Sequence, residues 1–86
     1  MAAYKIFLKD SVRKDLAYIP GSDLQRIIER IGGLAEDPRP PGSEKLSGQE
    51  KYRIRQGNYR IIYSIQDTEL TVWVVKVGHR REVYRH

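Results

Sequence analysis

Hydrophobic and polar positions alternate most regularly between residues 52 and 65, with one interruption. The apolar positions are Tyr52, Ile54, Tyr59, Ile61, Tyr63 and Ile65. Because side chains point alternately to the two faces of a β-strand, this pattern predicts two strands, each with one apolar face. The pair Gly57-Asn58 between them favours the positive φ of a two-residue turn, so we expect an antiparallel hairpin.

Two helices are predicted ahead of this hairpin. The first begins at Asp10 or Ser11, either of which could cap it, and ends at Pro20-Gly21. Ser22, followed three residues later by Gln25, resembles a capping box that opens the second helix. The apolar stripes are Val12, Leu16 and Ile19 in the first helix and Leu24, Ile27, Ile28, Ile31 and Leu34 in the second.

One further strand is predicted at each end of the chain. Residues 4–8 form a short strand, and residues 70–77 form a strand whose nearly continuous apolar character favours a central position in a sheet. Trp73 on that strand is expected in the core, as are Tyr59 and Tyr63. The order of elements predicts a single α+β domain over residues 1–86. Its N-terminal strand and helical hairpin would pack on one face of a mostly antiparallel sheet of about four strands.

Composition restricts the class of protein. A chain of 86 residues can bury one small core, and with no cysteine it has neither disulfides nor a thiolate metal site. The N-terminal residues lack the apolar segment of a signal peptide, and no apolar run approaches the roughly 18 residues of a membrane span. We expect a soluble cytoplasmic protein with no membrane partner.

The net charge of +5 is unevenly distributed. Residues 1–50 contain eight basic and eight acidic residues, whereas residues 51–86 contain eight basic and three acidic residues. A basic surface on one side of a small domain is typical of proteins that bind a polyanion such as nucleic acid. The alternative interpretation is a solvated cationic face with no specific ligand.

Candidate functional residues form two groups in the basic part of the chain. The groups are Lys51, Arg53, Arg55 and Arg60 on the hairpin, and His79, Arg80, Arg81, Tyr84 and Arg85 after the last strand. If both groups meet over the open face of the sheet, they form a site without a carboxylate. Guanidiniums bind phosphate oxygens and stabilise charge that develops on them, while His79 and Tyr84 can transfer protons. This set fits phosphodiester cleavage in RNA without a metal or other cofactor, with Lys51, Arg81 and Arg85 binding the RNA backbone.

Two segments carry a resemblance to a known family. Residues 57–63 read Gly-Asn-Tyr-Arg-Ile-Ile-Tyr, and residues 77–84, after the next strand, read Val-Gly-His-Arg-Arg-Glu-Val-Tyr. Together with the Leu46-Ser47-Gly48 turn and the preceding strand and helices, these segments resemble the RelE family, within the RelE/ParE superfamily of toxin–antitoxin systems. The resemblance covers nearly the whole chain.

The resemblance implies the toxin of a type II toxin–antitoxin system. Such a toxin is a ribosome-dependent endoribonuclease that cuts mRNA codons in the ribosomal A site, in contact with ribosomal RNA, by metal-independent attack of the 2′-hydroxyl. A RelB-like antitoxin is its implied partner. Arg53 and Arg55 match basic strand positions, and Arg60 matches a phosphate-binding arginine. Arg80 matches an arginine assigned to transition-state stabilisation or leaving-group protonation, and Tyr84 matches an aromatic residue that stacks on the substrate base.

One departure from the family pattern affects the mechanism. Arg53 and Arg55 stand where the best-known member has lysines, so a lysine-like base role cannot be transferred, and proton removal would fall to Tyr84, His79 or water. Two other functions remain open. One is a ParE-like poison of DNA gyrase with the same fold, and the other is a non-catalytic relative that only binds RNA, the ribosome or an antitoxin.

Overall fold

The computed structural model describes residues 3–48 and 50–79, which form two helices and five strands. In chain order the elements are β1 (Lys5–Leu8), α1 (Asp10–Ala17), α2 (Gly21–Gly33), β2 (Glu44–Lys45), β3 (Lys51–Gln56), β4 (Tyr59–Gln66) and β5 (Thr71–His79). This order confirms the predicted α+β class and the helical hairpin that precedes the β3–β4 hairpin.

The strands form one mixed sheet in the order β1-β5-β4-β3-β2. β1 runs parallel to β5, and the other neighbouring strands are antiparallel. β5 therefore has a neighbour on each side, as its apolar character predicts. The sheet has five strands rather than about four, because Glu44 and Lys45 pair with Arg53 and Tyr52 at the edge of β3. Two polar residues show no alternation from which a strand could be predicted.

Both helices begin without the expected side-chain caps. Lys9 precedes α1 and Pro20 precedes α2, and neither helix start has a capping hydrogen bond from a side chain. Asp10 is instead the first residue of α1, and Ser22 lies within the first turn of α2. Pro20, with φ −56°, leads the chain into α2 because its ring already holds a helix-like φ. Neither helix of the described chain has the length and apolar run needed to cross a membrane.

The core lies between the helices and one face of the sheet. Its buried members are Val12, Ile19, Ile27, Ile31, Leu34, Ile54, Ile61, Tyr63, Val72, Val74 and Val77. Each such side chain contributes about 1.5–3 kcal/mol when it is fully buried, so this face dominates the stability of the domain. Ile28 was expected in the apolar stripe of α2, but it is 52% exposed because it points away from the sheet.

The aromatic residues divide between the two faces of the sheet. Tyr63 is fully buried, as predicted, and its hydroxyl donates a hydrogen bond to the Pro38 carbonyl oxygen at 2.7 Å. Tyr59 packs against the core. The prediction for Trp73 is wrong, since its ring lies on the open face, 39% exposed and stacked on Phe7 with ring centroids 4.9 Å apart. A continuous apolar strand does not indicate which side chains face the helices.

The turn between β3 and β4 has the predicted geometry. Gly57 has φ 59°, a value that glycine adopts without steric cost. A positive φ at the first turn position matches the twist of the flanking strands. The turn therefore sets the register that places the basic residues of β3 opposite β4.

Candidate active site

The β3–β4 hairpin places four basic residues on the face of the sheet that the helices leave open. Arg55 is directly opposite Arg60, and Lys51 is directly opposite Ser64. Arg53 lies between these rows, opposite Ile62. Since opposite residues in a ladder share a face, and since Ile54 and Ile61 are buried against the helices, the basic side chains point the other way. This confirms the predicted cationic face.

Arg60 is the most buried of the basic residues, with 8% of its surface exposed. Its neighbour on β5 is Gly78, which has no side chain to occupy the space beside it. A guanidinium stays protonated even when it is buried, because its pKa lies above about 12. Its charge therefore acts in a medium of lower dielectric than water and attracts a phosphate more strongly than an exposed charge would.

Arg53 has a carboxylate partner that the sequence did not indicate. Its Nη2 lies 2.5 Å from Oε2 of Glu44, the residue directly opposite on β2. The Arg53 side chain is 18% exposed and that of Glu44 is 63% exposed. The expectation of a site without a carboxylate is therefore wrong at this edge, because the unpredicted strand β2 brings Glu44 beside Arg53. Arg55 and Arg60 lie directly opposite each other on the next pair of strands, β3 and β4.

His79 does not join the arginines of the hairpin. It pairs with Tyr59 in the β4–β5 ladder, whereas Arg60 pairs with the preceding residue, Gly78. Side chains alternate between faces, so His79 and Tyr59 lie on the side of the helices. Their rings meet edge to face, with centroids 5.9 Å apart and planes at 82°. This placement corrects the expectation that His79 lies beside Arg60 and could exchange protons there.

A cleft of about 410 Å³ lies next to His79 on the helix side. Its lining includes Asp15 of α1 and Tyr18, which directly follows that helix. The Asp15 carboxylate accepts a hydrogen bond from the Val77 backbone N–H at 3.3 Å, and Nζ of Lys76 lies 3.4 Å from the same carboxylate. β1 pairs with β5 only over the first four residues of that strand, so Asp15 occupies the edge that β1 leaves open. These contacts join α1 to the end of β5.

A second group of polar contacts is centred on Asp67. Arg39 donates two hydrogen bonds to Asp67, at 3.1 and 2.9 Å, and its Nε donates to the Tyr52 hydroxyl at 3.2 Å. The Tyr4 hydroxyl donates to Asp67 at 2.8 Å. The Arg39 bonds join the loop after α2 to Tyr52 on β3 and to Asp67, which directly follows β4. The sequence offered no signal for this group, because its members are far apart along the chain.

The contacts within this group shift the pKa values of its members. The hydrogen bonds from Arg39 and Tyr4 lower the pKa of the Asp67 carboxyl. The same carboxylate raises the pKa of Tyr4 and, more strongly, that of Arg39. Charge-assisted and bidentate hydrogen bonds favour the ionised forms of both partners. Asp67 therefore stays ionised to a lower pH than a carboxyl without these partners would.

The remaining site predictions lie outside the described residues. These are Arg80, Arg81, Tyr84 and Arg85. Within residues 3–48 and 50–79, no group of three His, Cys, Asp or Glu side chains is arranged to hold a metal ion. The described part of the candidate site therefore consists of Arg55 and Arg60 with Lys51 and the Glu44-bound Arg53.

Comparison with known proteins identifies the family. Residues 6–84 match the model of the ParE toxin of type II toxin–antitoxin systems. The toxin RelG of Mycobacterium tuberculosis is 31% identical over 95% of this chain and 97% of its own. The fold matches the crystal structure of the RelE–RelB complex of Pyrococcus horikoshii with a TM-score of 0.83, 28% identity and complete coverage of both chains. It also matches that of the RelBE2 complex of M. tuberculosis, with a TM-score of 0.80, 28% identity, and coverage of 91% of this chain and 99% of the other. The chain belongs to the RelE family of type II toxin–antitoxin toxins.

Proposed function

We propose that this toxin is an endoribonuclease that cleaves mRNA in the ribosomal A site. The observation that carries this proposal is the placement of Arg55 directly opposite Arg60 on the open face of the sheet. Two guanidiniums on neighbouring strands bring several N–H donors to one place, and a phosphodiester has the charge and the oxygen acceptors to bind both.

The chemistry needs no atom from the protein to enter the product. The 2′-hydroxyl of a ribose attacks the adjacent phosphorus, the bond from phosphorus to the 5′ oxygen of the next nucleotide breaks, and a 2′,3′-cyclic phosphate and a 5′-hydroxyl result. Arg60 binds the non-bridging oxygens and stabilises the charge that grows on them, with Arg55 as a second cation. Neither step requires a metal ion.

Proton transfer is assigned to the residues that follow β5. Because His79 lies on the helix side, Tyr84 is the proposed acceptor of the 2′-hydroxyl proton. Arg80 donates a hydrogen bond to the leaving 5′ oxygen, which takes its proton from solvent. Tyr84→Phe should therefore lose cleavage while it retains the ring that would stack on a base.

The proposed partners are mRNA, ribosomal RNA and a cognate RelB-like antitoxin. Lys51, Arg81 and Arg85 would add phosphate contacts around the site, and a ribosomal target places the action in the cytoplasm. The structures of RelE–RelB and RelBE2 complexes support an antitoxin for this chain too. Its binding segment would be acidic and amphipathic, to complement the basic face and the exposed apolar residues of the helices, among them Ile28.

Primer extension on a reporter mRNA, translated in a purified system, tests this function. Wild-type protein should produce cuts in register with codons only when ribosomes are present. Arg60→Ala and Arg80→Ala should abolish the cuts. Intact mRNA with well-folded wild-type protein would contradict the proposal.

The gyrase poison is the second candidate, because the family model that matches the chain is that of ParE toxins. In that case the protein should inhibit supercoiling of plasmid DNA by purified gyrase. Arg80→Ala and Tyr84→Phe should then leave inhibition unchanged, since no phosphodiester chemistry is involved. The two assays on the same protein preparations separate the candidates.

A further inference from the structure

Two aromatic side chains are stacked together on the open face of the sheet. Phe7 of β1 and Trp73 of β5 are directly opposite in the parallel ladder, with ring centroids 4.9 Å apart and planes inclined by 24°. Phe7 is 42% exposed and Trp73 is 39% exposed. Large aromatic side chains normally contribute to the core, so an exposed stacked pair presents ring surface that the fold itself does not cover.

The register relates this aromatic pair to the candidate active site. Trp73 is opposite Ser64 on β4, and Ser64 is opposite Lys51 on β3. Arg60 lies four residues before Ser64 on the same strand and points to the same face. At about 3.3 Å per residue, Trp73 therefore lies roughly 13–14 Å from Arg60 across the open face.

The surroundings of the pair are cationic and polar. Lys5, two residues before Phe7 on β1, is exposed and shares its face, and the exposed Lys51 lies at the other end of the Trp73 row. The neighbour between Trp73 and Lys51 is the hydroxyl residue Ser64. A flat aromatic surface flanked by lysines suits a ligand with planar apolar groups joined by anionic linkers, which is the chemistry of single-stranded nucleic acid.

We propose that the Phe7–Trp73 pair stacks an unpaired base of the RNA strand whose scissile phosphate binds at Arg60. This inference rests on the proposed ribonuclease function and names a binding contact for it. The pair would fix the direction and position of the strand, because a base on Trp73 and a phosphate on Arg60 define two points of one chain. Lys5 and Lys51 would bind the phosphates on either side of the stacked base.

The single tryptophan of the chain allows a direct measurement. A single-stranded oligoribonucleotide with 2′-O-methyl groups, which cannot be cleaved by 2′-hydroxyl attack, is titrated into the antitoxin-free protein at low salt. Stacking of a base on Trp73 should quench its fluorescence. An oligonucleotide of equal length that lacks bases should bind through its phosphates without quenching. A protein that binds both strands equally and without quenching would overturn the proposal.

Three variants separate stacking from charge and from folding. Because stacking of a base on an aromatic ring contributes to binding affinity, Trp73→Leu should weaken binding of the intact oligonucleotide by about tenfold. Trp73→Phe, which restores a ring, should recover most of the affinity. Tyr18→Leu removes an 88% exposed aromatic residue from the helix side and should leave binding unchanged. Thermal unfolding of each variant establishes that it is folded.

Cleavage on programmed ribosomes distinguishes failure of this inference from failure of the ribonuclease function. Trp73→Leu should raise the mRNA concentration needed for half-maximal cleavage and leave the maximal rate close to that of wild type. If Trp73→Leu cleaves at the wild-type rate at every mRNA concentration, the stacking contact alone is overturned. Absence of cleavage and of RNA binding by the wild-type protein would overturn both. Loss of antitoxin binding in Trp73→Leu, with RNA binding intact, would assign the pair to a protein partner and overturn the proposal.

Discussion

Arg55 and Arg60 lie directly opposite each other on adjacent strands, with their side chains on the face that the helices leave open. Their environments differ, since Arg55 is exposed whereas only 8% of Arg60 is accessible to solvent. Solvent and salt screen an exposed charge strongly and a buried one much less. The same residue type therefore offers two different strengths of interaction with a phosphate at this place.

Arg60 should contribute more to cleavage than Arg55. Loss of a positioned donor to a developing oxyanion reduces the rate by roughly 10²–10³-fold, which we expect for Arg60→Gln. Arg55→Gln should reduce the cleavage rate only about tenfold, because the exposed charge of Arg55 is screened by solvent and salt. Single-turnover cleavage on programmed ribosomes measures both rates. Arg13→Gln, an exposed arginine on α1, is the control. If all three variants slow cleavage equally, net charge rather than the site is responsible.

Removal of the Glu44 carboxylate should strengthen RNA binding. In Glu44→Gln the Arg53 guanidinium loses a carboxylate that competes with a phosphate for it. One additional phosphate contact makes the logarithm of the binding constant depend on the logarithm of salt concentration more steeply, by about 0.7 for a single strand. Fluorescence anisotropy of labelled RNA over a salt series measures this slope.

The control for Glu44 is Glu50, which directly precedes β3. Its carboxylate lies 3.8 Å from Nζ of Lys45 and its side chain is 92% exposed, so Glu50→Gln removes the same charge and keeps the contact between Arg53 and Glu44. Equal slopes for the two variants would mean that Arg53 stays unavailable to RNA. The stability of Glu50→Gln should change by less than about 1 kcal/mol, as is usual for exposed ion pairs.

The Asp67 contacts should make stability depend on acid pH. The pKa of Asp67 is lower in the folded protein than in the unfolded chain, because Arg39 and Tyr4 donate hydrogen bonds to the ionised carboxylate. Its contribution is therefore complete above the unfolded pKa of about 3.9 and is lost as pH falls through the folded pKa. We expect the free energy of unfolding, measured with urea at pH 7, 4 and 3, to fall less with pH for Asp67→Asn than for wild type.

Glu36→Gln provides the comparison for the acid series, since Glu36 is an exposed carboxylate outside the Asp67 contacts. The free energy of unfolding of Glu36→Gln should fall below about pH 4 as steeply as that of wild type. A decline in Asp67→Asn as steep as that of wild type would mean that the Arg39 contact does not stabilise the ionised form in solution.

The buried hydroxyl of Tyr63 should limit stability in alkali. Burial raises the pKa of Tyr63 to about 12. Because the folded state holds the proton more tightly than the unfolded chain, its contribution is complete below the unfolded pKa of about 10 and is lost as pH rises towards 12. Tyr63→Phe should be less stable than wild type at pH 7 by about 1–3 kcal/mol, since the Pro38 carbonyl oxygen loses its hydrogen-bond donor. Its free energy of unfolding should nevertheless fall less than that of wild type between pH 10 and 12.

Tyr18→Phe is the matched control for Tyr63→Phe, because the Tyr18 side chain is 88% exposed. Its stability at pH 7 and its decline in alkali should equal those of wild type. Denaturant unfolding at pH 7, 10 and 11.5 provides the comparison. An unchanged alkaline decline in Tyr63→Phe would exclude Tyr63 as its cause.

The candidate site was predictable where it depends on one hairpin. Period-two alternation from Tyr52 to Ile65 and a glycine at the turn are local properties, so the shared face of Arg53, Arg55 and Arg60 follows from the sequence. The position of His79 was not predictable in this way. It depends on the pairing of β5 with β4, which the alternation of neither strand specifies.

The ion pairs of the sheet could not be predicted from the sequence for a related reason. Glu44 reaches Arg53 only because a two-residue strand forms at the sheet edge, and Arg39 reaches Asp67 across 28 positions of the chain. Side-chain contacts between distant segments depend on strand order and register, and neither is encoded in local periodicity.

The amino-acid sequence was enough to predict the helical hairpin, the β3–β4 hairpin, the cationic face and the resemblance to RelE toxins. These follow from apolar spacing, turn chemistry and short motifs, each of which acts over a few residues. Three placements needed the folded chain: Trp73 on the open face with Phe7, His79 on the helix side, and Glu44 bound to Arg53. Each of these outcomes requires two strands to be placed side by side in one register, and that register is set by how the whole core packs.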